Sequence, residues 1–407
     1  MQKTRLRKYA KLIARMGANV QKGQDVYLYA SIEQPQFIEM VVEELYKLGA
    51  RKVHIKWQCS EMEKYHVKYQ TLETLSTVDS YEEEDLKFLR DNLAARVFVG
   101  SSNPDALKGV DVGKMMSAQQ AKAPITKPYR DAIDGLHQWT IVAVPGKAWA
   151  KKVFPNERPA KAVEMLWEAI LKCTRVDDDP IAAWEAHNKD VHDRCDYLNN
   201  LGLTELHYKA SNGTDLTVGL MDEGLFCGAV EYTKNGVSFN PNMPTEECFT
   251  SPKKGVAEGI VYSSLPLSYQ GDLIENFWVR FEGGKVVEAH AEKNDERLQK
   301  MVAMDEGAAY LGECALVPFD SPINQTGLLF YNTLFDENAC CHFALGRGFT
   351  DCVKDGHNKT KEELAECGLN DSMVHVDFMI GTADLSITGK CKDGSIVEIF
   401  KDGTWAF

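Results

Sequence analysis

The sequence lacks long apolar runs. No run in its 407 residues approaches the roughly 18 consecutive apolar residues that a bilayer-spanning helix takes. The opening stretch, MQKTRLRKYAKLIARMGANV, has basic residues spaced through it where a signal peptide has an apolar core. It reads as an amphipathic helix. There is no low-complexity tract, so no long disordered tail is expected, and no internal repeat. Positive charge is the scarcer sign: 46 Lys and Arg stand against 60 Asp and Glu, for a formal net charge of −14. A nucleic-acid groove needs a basic patch, which argues against that class of partner. The eleven cysteines, an odd number, form no CxxC pair. They read as small buried hydrophobes in a reducing cytoplasm. No GxxxxGK[ST] loop is present to cradle a nucleotide. No GxSxG elbow or papain-type cysteine signature points to a nucleophilic hydrolase.

What is present is an ordinary globular composition, 44% hydrophobic and 26% charged, in a chain long enough for two or three domains. The first part alternates helix and strand. Helices are expected over residues 6–16, 35–48 and 81–93, and strands over 25–29, 53–57, 96–100 and 140–144. This βα alternation predicts a mostly parallel sheet with helices around it. Two helices, 159–175 and 180–200, are separated by an acidic cluster ending in Pro180, a helix-start signal. From residue 206 the pattern changes to hairpins: one around the turn 211–215, one around Gly283 and Gly284, and one at 395–405. The expectation is therefore an α/β N-terminal domain over 1–200, with the linking helices, and an α+β domain rich in antiparallel strands over 201–407.

The chemistry gathers between Glu313 and Asp377. The segment MVHVDFMIG (373–381) is a strand by its β-branched and apolar content. Residues two apart on a strand share a face, ~7 Å apart, so His375 and Asp377 look the same way. A face bearing two polar groups must meet something that satisfies them. A His–Asp pair satisfied within the core is the plainer reading. In FYNTLFDENACCHFALGRGF (330–349), Asp336 or Asn338 can cap a helix carrying His342 among small apolar residues. On a regular helix Glu337 and His342, five apart, are separated by ~140°, and they converge only if Glu337 lies in an irregular first turn. Without that, Glu337 is a partner of the helix dipole and His342 a core histidine. Residues 305–312 read as a helix, followed by a strand in which Glu313 is an expensive carboxylate unless paired. Glu246 and Glu247, in MPTEECFT (243–250), are adjacent acids of the kind usually solvated. Together these carboxylates and imidazoles suit zinc, cobalt or manganese, and several carboxylates can hold two ions. The remaining eight histidines lack such contexts. A metal-assisted hydrolase is the reading that follows.

Five segments carry a more specific signal: MPTEECFTSP, LSYQGDLIENFWVRFEGGKVVEAHAE, LGECALVPFDSPI, LFYNTLFDENACCHFALGRGF and VHVDFMIG. In this order they resemble the aminopeptidase T / aminopeptidase II / aminopeptidase S family of metallo-aminopeptidases. The resemblance is dense over residues 240–385 and looser through the N-terminal half. It implies a cytoplasmic homodimer acting on short peptides, with two divalent metal ions in the C-terminal domain. The family's ligands fall on Glu247, Glu313, Glu337, His342, His375 and Asp377, with Glu313 as the carboxylate between the ions. Position within TEE favours Glu247 over Glu246.

Two departures from the family pattern stand out. The family often has Tyr seven residues after the motif histidine, where a phenol would hydrogen-bond the scissile carbonyl or the tetrahedral intermediate; here that position is Phe349. Small residues usually precede the histidine; here they are Cys340 and Cys341, read as packing residues. The segment 351–371 is also somewhat longer and more charged, which would reshape an entrance.

The resemblance thus implies hydrolysis of N-terminal amino acids by a water activated between two ions, with Glu313 as the candidate proton shuttle. Two other readings stand beside it. One is a metallohydrolase of another substrate class, such as phosphoesters. The other is a peptide-binding protein whose catalysis Phe349 has weakened.

Overall fold

The computed structural model describes residues 3–101 and 103–407. By contacts the chain divides into two compact units, Met1–Ala186 with Val230–Pro244, and His187–Ala229 with Thr245–Phe407.

The first unit is built on five parallel strands: β1 (Asp25–Ser31), β2 (Lys52–Gln58), β3 (Ala95–Gly100), β4 (Trp139–Ala143) and the short β5 (Asn242–Met243). They lie in the order β2-β1-β3-β4-β5. Strand β1, DVYLYAS, is buried nearly end to end, as a parallel strand covered on both faces must be. Helix Pro35–Lys47 has its proline in the first turn, where the missing N–H costs nothing, and buries Phe37, Ile38, Val41 and Leu45. Helix Ser80–Asn92 opens with a capping box between Asp79 and Glu82. The ring of Tyr9 stacks on Phe37 at 5.4 Å, and Phe37 meets Trp167 edge-on at 5.3 Å. The α/β expectation for this part is met. Val112–Asp131, which matches none of the expected elements, is a helix carrying Pro124 and Pro128 in its interior.

The second unit is antiparallel. A nine-stranded sheet contains Leu203–Lys209 paired with Asp215–Leu220, and Asp272–Glu282 paired with Lys285–Lys293. These are two of the hairpins expected from the turn residues. The third, Ile396–Lys401 with Thr404–Trp405, is also present. A smaller sheet has the order β6 (Cys248–Thr250), β7 (Leu311–Leu316), β8 (His342–Gly346), β9 (His375–Met379), all antiparallel. One of its faces is apolar: Phe343 meets Tyr208 at 4.9 Å and Phe378 meets Phe277 at 5.7 Å, both partners belonging to the larger sheet. That packing fixes the small sheet and turns its other face to the chemistry.

Two local expectations are corrected here. His342 is not on a helix but opens strand β8. A short continuous apolar run fits a buried strand as well as a helix, and pairing with a strand on each side decides it. Residues 305–312 are not a helix either. They hold a single 3-10 turn, Gly307–Ala309, and β7 has already begun at Leu311, so Glu313 is the third residue of a strand.

Candidate metal centre

Register brings the donor groups together. In β7 and β8, Glu313 pairs with Ala344 and Ala315 pairs with His342. In β8 and β9, Ala344 pairs with Asp377 and Gly346 with His375. Directly paired residues share a face, as do residues two apart on one strand. Glu313, His342, His375 and Asp377 therefore project from one face, with the small residues Ala315, Ala344 and Gly346 between them and with Phe249 and Met379, the partners of Ala315 and His342, alongside. Gly346 has a φ of +109°, and a Cβ there would lie 2.1 Å from the carbonyl oxygen of Val374, so no larger residue fits. Glu247 reaches the same place from the residue before β6.

The distances are those of a compact polar cluster. His375 Nε2 lies 3.0 Å from Glu313 Oε2 and 3.2 Å from Asp377 Oδ1. His342 Nε2 lies 3.4 Å from Glu247 Oε2. Two triads offer ligand atoms within 4.8 Å of one another, Glu247–Glu313–His342 and Glu313–His375–Asp377. Glu313 belongs to both. On each ring Nδ1 faces a backbone carbonyl, that of Arg347 at 2.6 Å for His375 and that of Cys340 at 3.4 Å for His342. A proton on Nδ1 meets each carbonyl, so that Nε2 is the nitrogen directed at the carboxylates: it donates to them while the ring is protonated and becomes a ligand when a metal displaces that proton.

Glu337 also arrives, by a route the sequence left open. It lies in the 3-10 turn Glu337–Ala339, after which Cys340 is fully extended, so the chain changes direction between Glu337 and His342. Its neighbour Asn338 is wholly buried and ties the parts together. Asn338 Oδ1 accepts from the Glu246 N–H at 2.7 Å, and its Nδ2 donates to the Leu334 carbonyl at 3.0 Å and to Glu337 Oε1 at 3.4 Å. The sequence offers Asn338 only as a helix cap; standing after two acids and before the apolar run, it carries no local mark of a buried role. Asp336 is likewise structural. Its carboxylate accepts from the N–H groups of Phe330 at 2.7 Å and Asn332 at 3.0 Å, and burial raises it to about 7.

Charge is the distinctive property of this cluster. Burial, then the charges of Asp377, Glu247 and Glu313, push Glu337 well above the usual carboxylate range. Burial also raises Glu313, against the pull of His375 and with the push of Asp377 and Glu247. For the histidines burial acts downward but the carboxylates win. Glu247, Glu313 and Asp377 bring His342 up to about 9, and Asp377 and Glu313 raise His375 well above its ordinary value. Asp377 is held low: burial opposes ionisation, and the hydrogen bond and charge of His375 outweigh it. A buried set of carboxylates that destabilise one another calls for cationic compensation. Imidazole nitrogen with carboxylate oxygen is a donor set suited to zinc, cobalt or manganese. Glu246 is buried beside Glu247, so neither of the adjacent acids is the solvated surface group that such pairs usually are.

The thiols do not join the donors. Cys341 exchanges hydrogen bonds with the backbone of Val317, and burial pushes Cys340 up to about 11. Phe349 lies beside the cluster, its ring 4.7 Å from that of His375 and 5.5 Å from that of Phe249. The segment after it folds as the 3-10 turns Thr350–Cys352 and Gly356–Asn358 and the helix Lys361–Cys367, the last with a capping box of Thr360 and Glu363.

Known proteins match this chain along its whole length. The chain is 43% identical to "Aminopeptidase AmpS" of Bacillus subtilis (strain 168), over 99% of this chain and 98% of the relative. It is 40% identical to "Aminopeptidase T" of Thermus aquaticus, over 98% of each. The solved structure of wild-type AmpT from Thermus thermophilus superposes with a TM-score of 0.92 at 40% identity, covering 100% of both chains. The pattern described as thermophilic metalloprotease (M29) matches residues 2–405, and the chain belongs to that M29 peptidase family.

Proposed function

We propose that this metallo-aminopeptidase releases N-terminal amino acids from short peptides, using a pair of divalent ions held by Glu247, Glu313, Glu337, His342, His375 and Asp377. The observation that carries the reading is the doubled triad. Glu313 is common to both groups of donors, which is what a carboxylate between two ions requires. Charge supports the number: with both imidazoles neutral as ligands, the four carboxylates of Glu247, Glu313, Glu337 and Asp377 would be balanced by two divalent cations. The relatives named as aminopeptidases support the class of reaction.

When bound, the ions supply Lewis acidity for the peptide carbonyl and a water that ionises near neutral pH. The chain's own groups do the rest. The backbone carbonyls of Arg347 and Cys340 hold His375 and His342 in the ligating tautomer. Glu313 takes the proton of the attacking water and passes it to the departing amine nitrogen. Phe349 closes one side with an apolar ring and brings no hydroxyl to the developing oxyanion. That single observation favours the second reading, a peptide-binding protein with weakened turnover.

Release of leucine, arginine and alanine from di- to pentapeptides, by metal-free protein with and without zinc, cobalt or manganese, separates the readings. Metal-dependent release from free but not acetylated N-termini is the expected result. Binding of peptides without turnover, or phosphoester cleavage in their place, would overturn it. All eleven cysteines are free thiols, which supports a cytoplasmic setting. Among the described residues no helix is long and apolar enough to cross a membrane. The homodimer implied by the family resemblance is tested by light scattering.

A further inference from the structure

The first unit has a cavity that the metal centre does not use. Its five parallel strands run β2-β1-β3-β4-β5, so the sheet order reverses between β1 and β3. In open parallel sheets the crevice outside the carboxyl ends of the strands, at that reversal, is where the fold leaves room for a ligand. Here the crevice exists. A cavity of about 500 Å³ lies against Ser31 at the end of β1, Gln58 at the end of β2, Gly100 at the end of β3, and Gly146 after β4. That is the size of a small-molecule site. Its wall is closely built: a Cβ on Gly146 would lie 2.5 Å from Ser101 Oγ and 3.0 Å from Glu33 Cγ.

The lining decides the ligand's charge. Helix N-termini at this edge favour anions. Against that, Glu33, Glu61 and Glu63 line the cavity together with His66, and among the described residues no lysine or arginine does. Glu61 is fixed in place. Its Oε1 accepts from Asn103 Nδ2 at 2.7 Å and its Oε2 from Ser60 Oγ at 3.3 Å, and the Asn103 bond holds its carboxyl below the usual range. Glu33 Oε2 accepts from the Lys147 N–H at 3.3 Å. Two oriented carboxylates outweigh the partial charge of a helix end, so an anion is disfavoured. The apolar contribution is equally specific. Trp57 is 50% exposed and Met62 50% exposed, large side chains left half in solvent at the cavity. An indole face beside carboxylates is a receptor for ammonium.

We propose that this cavity binds a small organic cation, a primary ammonium carried on an alkyl body. The carboxylates take the charge and Trp57 and Met62 take the alkyl chain. It shares no residue with the metal centre.

The test is isothermal titration of the metal-loaded, full-length protein with 1,5-diaminopentane, with 1,5-pentanediol and glutarate as neutral and anionic counterparts. Saturable binding of the diamine alone is expected. Glu61→Gln and Trp57→Ala should each weaken it at least tenfold, while peptide hydrolysis without diamine stays as in the parent. Binding of glutarate in preference, no binding of the diamine, or diamine binding indifferent to both substitutions would each overturn the assignment.

Discussion

Glu313 and Asp377 stand at the same level of the small sheet, two strands apart, because both pair with Ala344. The side chain between the two carboxylates is thus a single methyl group, which leaves no bulk where a cation must sit. Ala344→Val adds two carbons at that point. Overpacking a core position costs about 1–3 kcal/mol, so the fold should survive. Metal affinity, measured by titration of the metal-free protein, should fall at least tenfold. Unchanged affinity would mean that the ions do not lie over Ala344.

Removal of metal should cost stability as well as activity. With a chelator present, the buried carboxylates are left to repel one another, and the melting temperature should drop. In that metal-free state Glu337→Gln should be more stable than the parent near neutral pH. Burial and its neighbours raise Glu337 above its unfolded value, so its stabilising contribution is full only below the ordinary glutamate range and is lost as pH rises. With metal restored the order should reverse. Calorimetry of both proteins in both states gives the answer.

Phe349→Tyr should raise kcat. The ring stands beside His375, and a hydroxyl there adds a donor for the negative charge that develops on the carbonyl oxygen. Loss of one such donor costs about a hundredfold or more in well-studied enzymes, so a gain of about tenfold in kcat with little change in KM is expected. Equal rates for the two proteins would show that another group already serves.

Acid should unfold the first unit through His137. It is buried and accepts from Arg96 Nε at 2.7 Å through Nε2. Burial first, then the Arg96 charge, lowers it to about 4. A depressed histidine binds its proton more readily unfolded than folded. Stability is therefore full above about pH 6.5 and is lost as pH falls toward 4, by up to about 3 kcal/mol. His137→Gln should flatten that part of the stability–pH curve, as denaturant titrations at pH 7 and pH 4.5 would show.

The α/β alternation and the hairpins were legible because they rest on local signals: β-branched runs, helix starts at Pro35 and Pro180, and turn glycines. The strand character of His375 and Asp377 was legible for the same reason. That of His342 was not. Its neighbours Phe343, Ala344 and Leu345 are apolar on both sides of the strand, so no alternation marks it, and only pairing with β7 and β9 decides. The convergence of Glu337 depended on one 3-10 turn, Glu337–Ala339, ahead of the extended Cys340, and the support from Asn338 on a contact with Glu246 across more than ninety residues of chain. Ordered motifs pointed to these residues; periodicity could not.

The return of Val230–Pro244 to the first unit also bears on how this protein can be cut. The segment supplies β5, which pairs with β4 through Asn242 and Met243. A recombinant fragment stopping at residue 200 would leave Trp139–Ala143 as an open border, with unpaired amides ready to recruit a second chain. Dissection of the enzyme therefore calls for a graft, with residues 230–244 rejoined to the N-terminal piece through a linker, and not for a single cut.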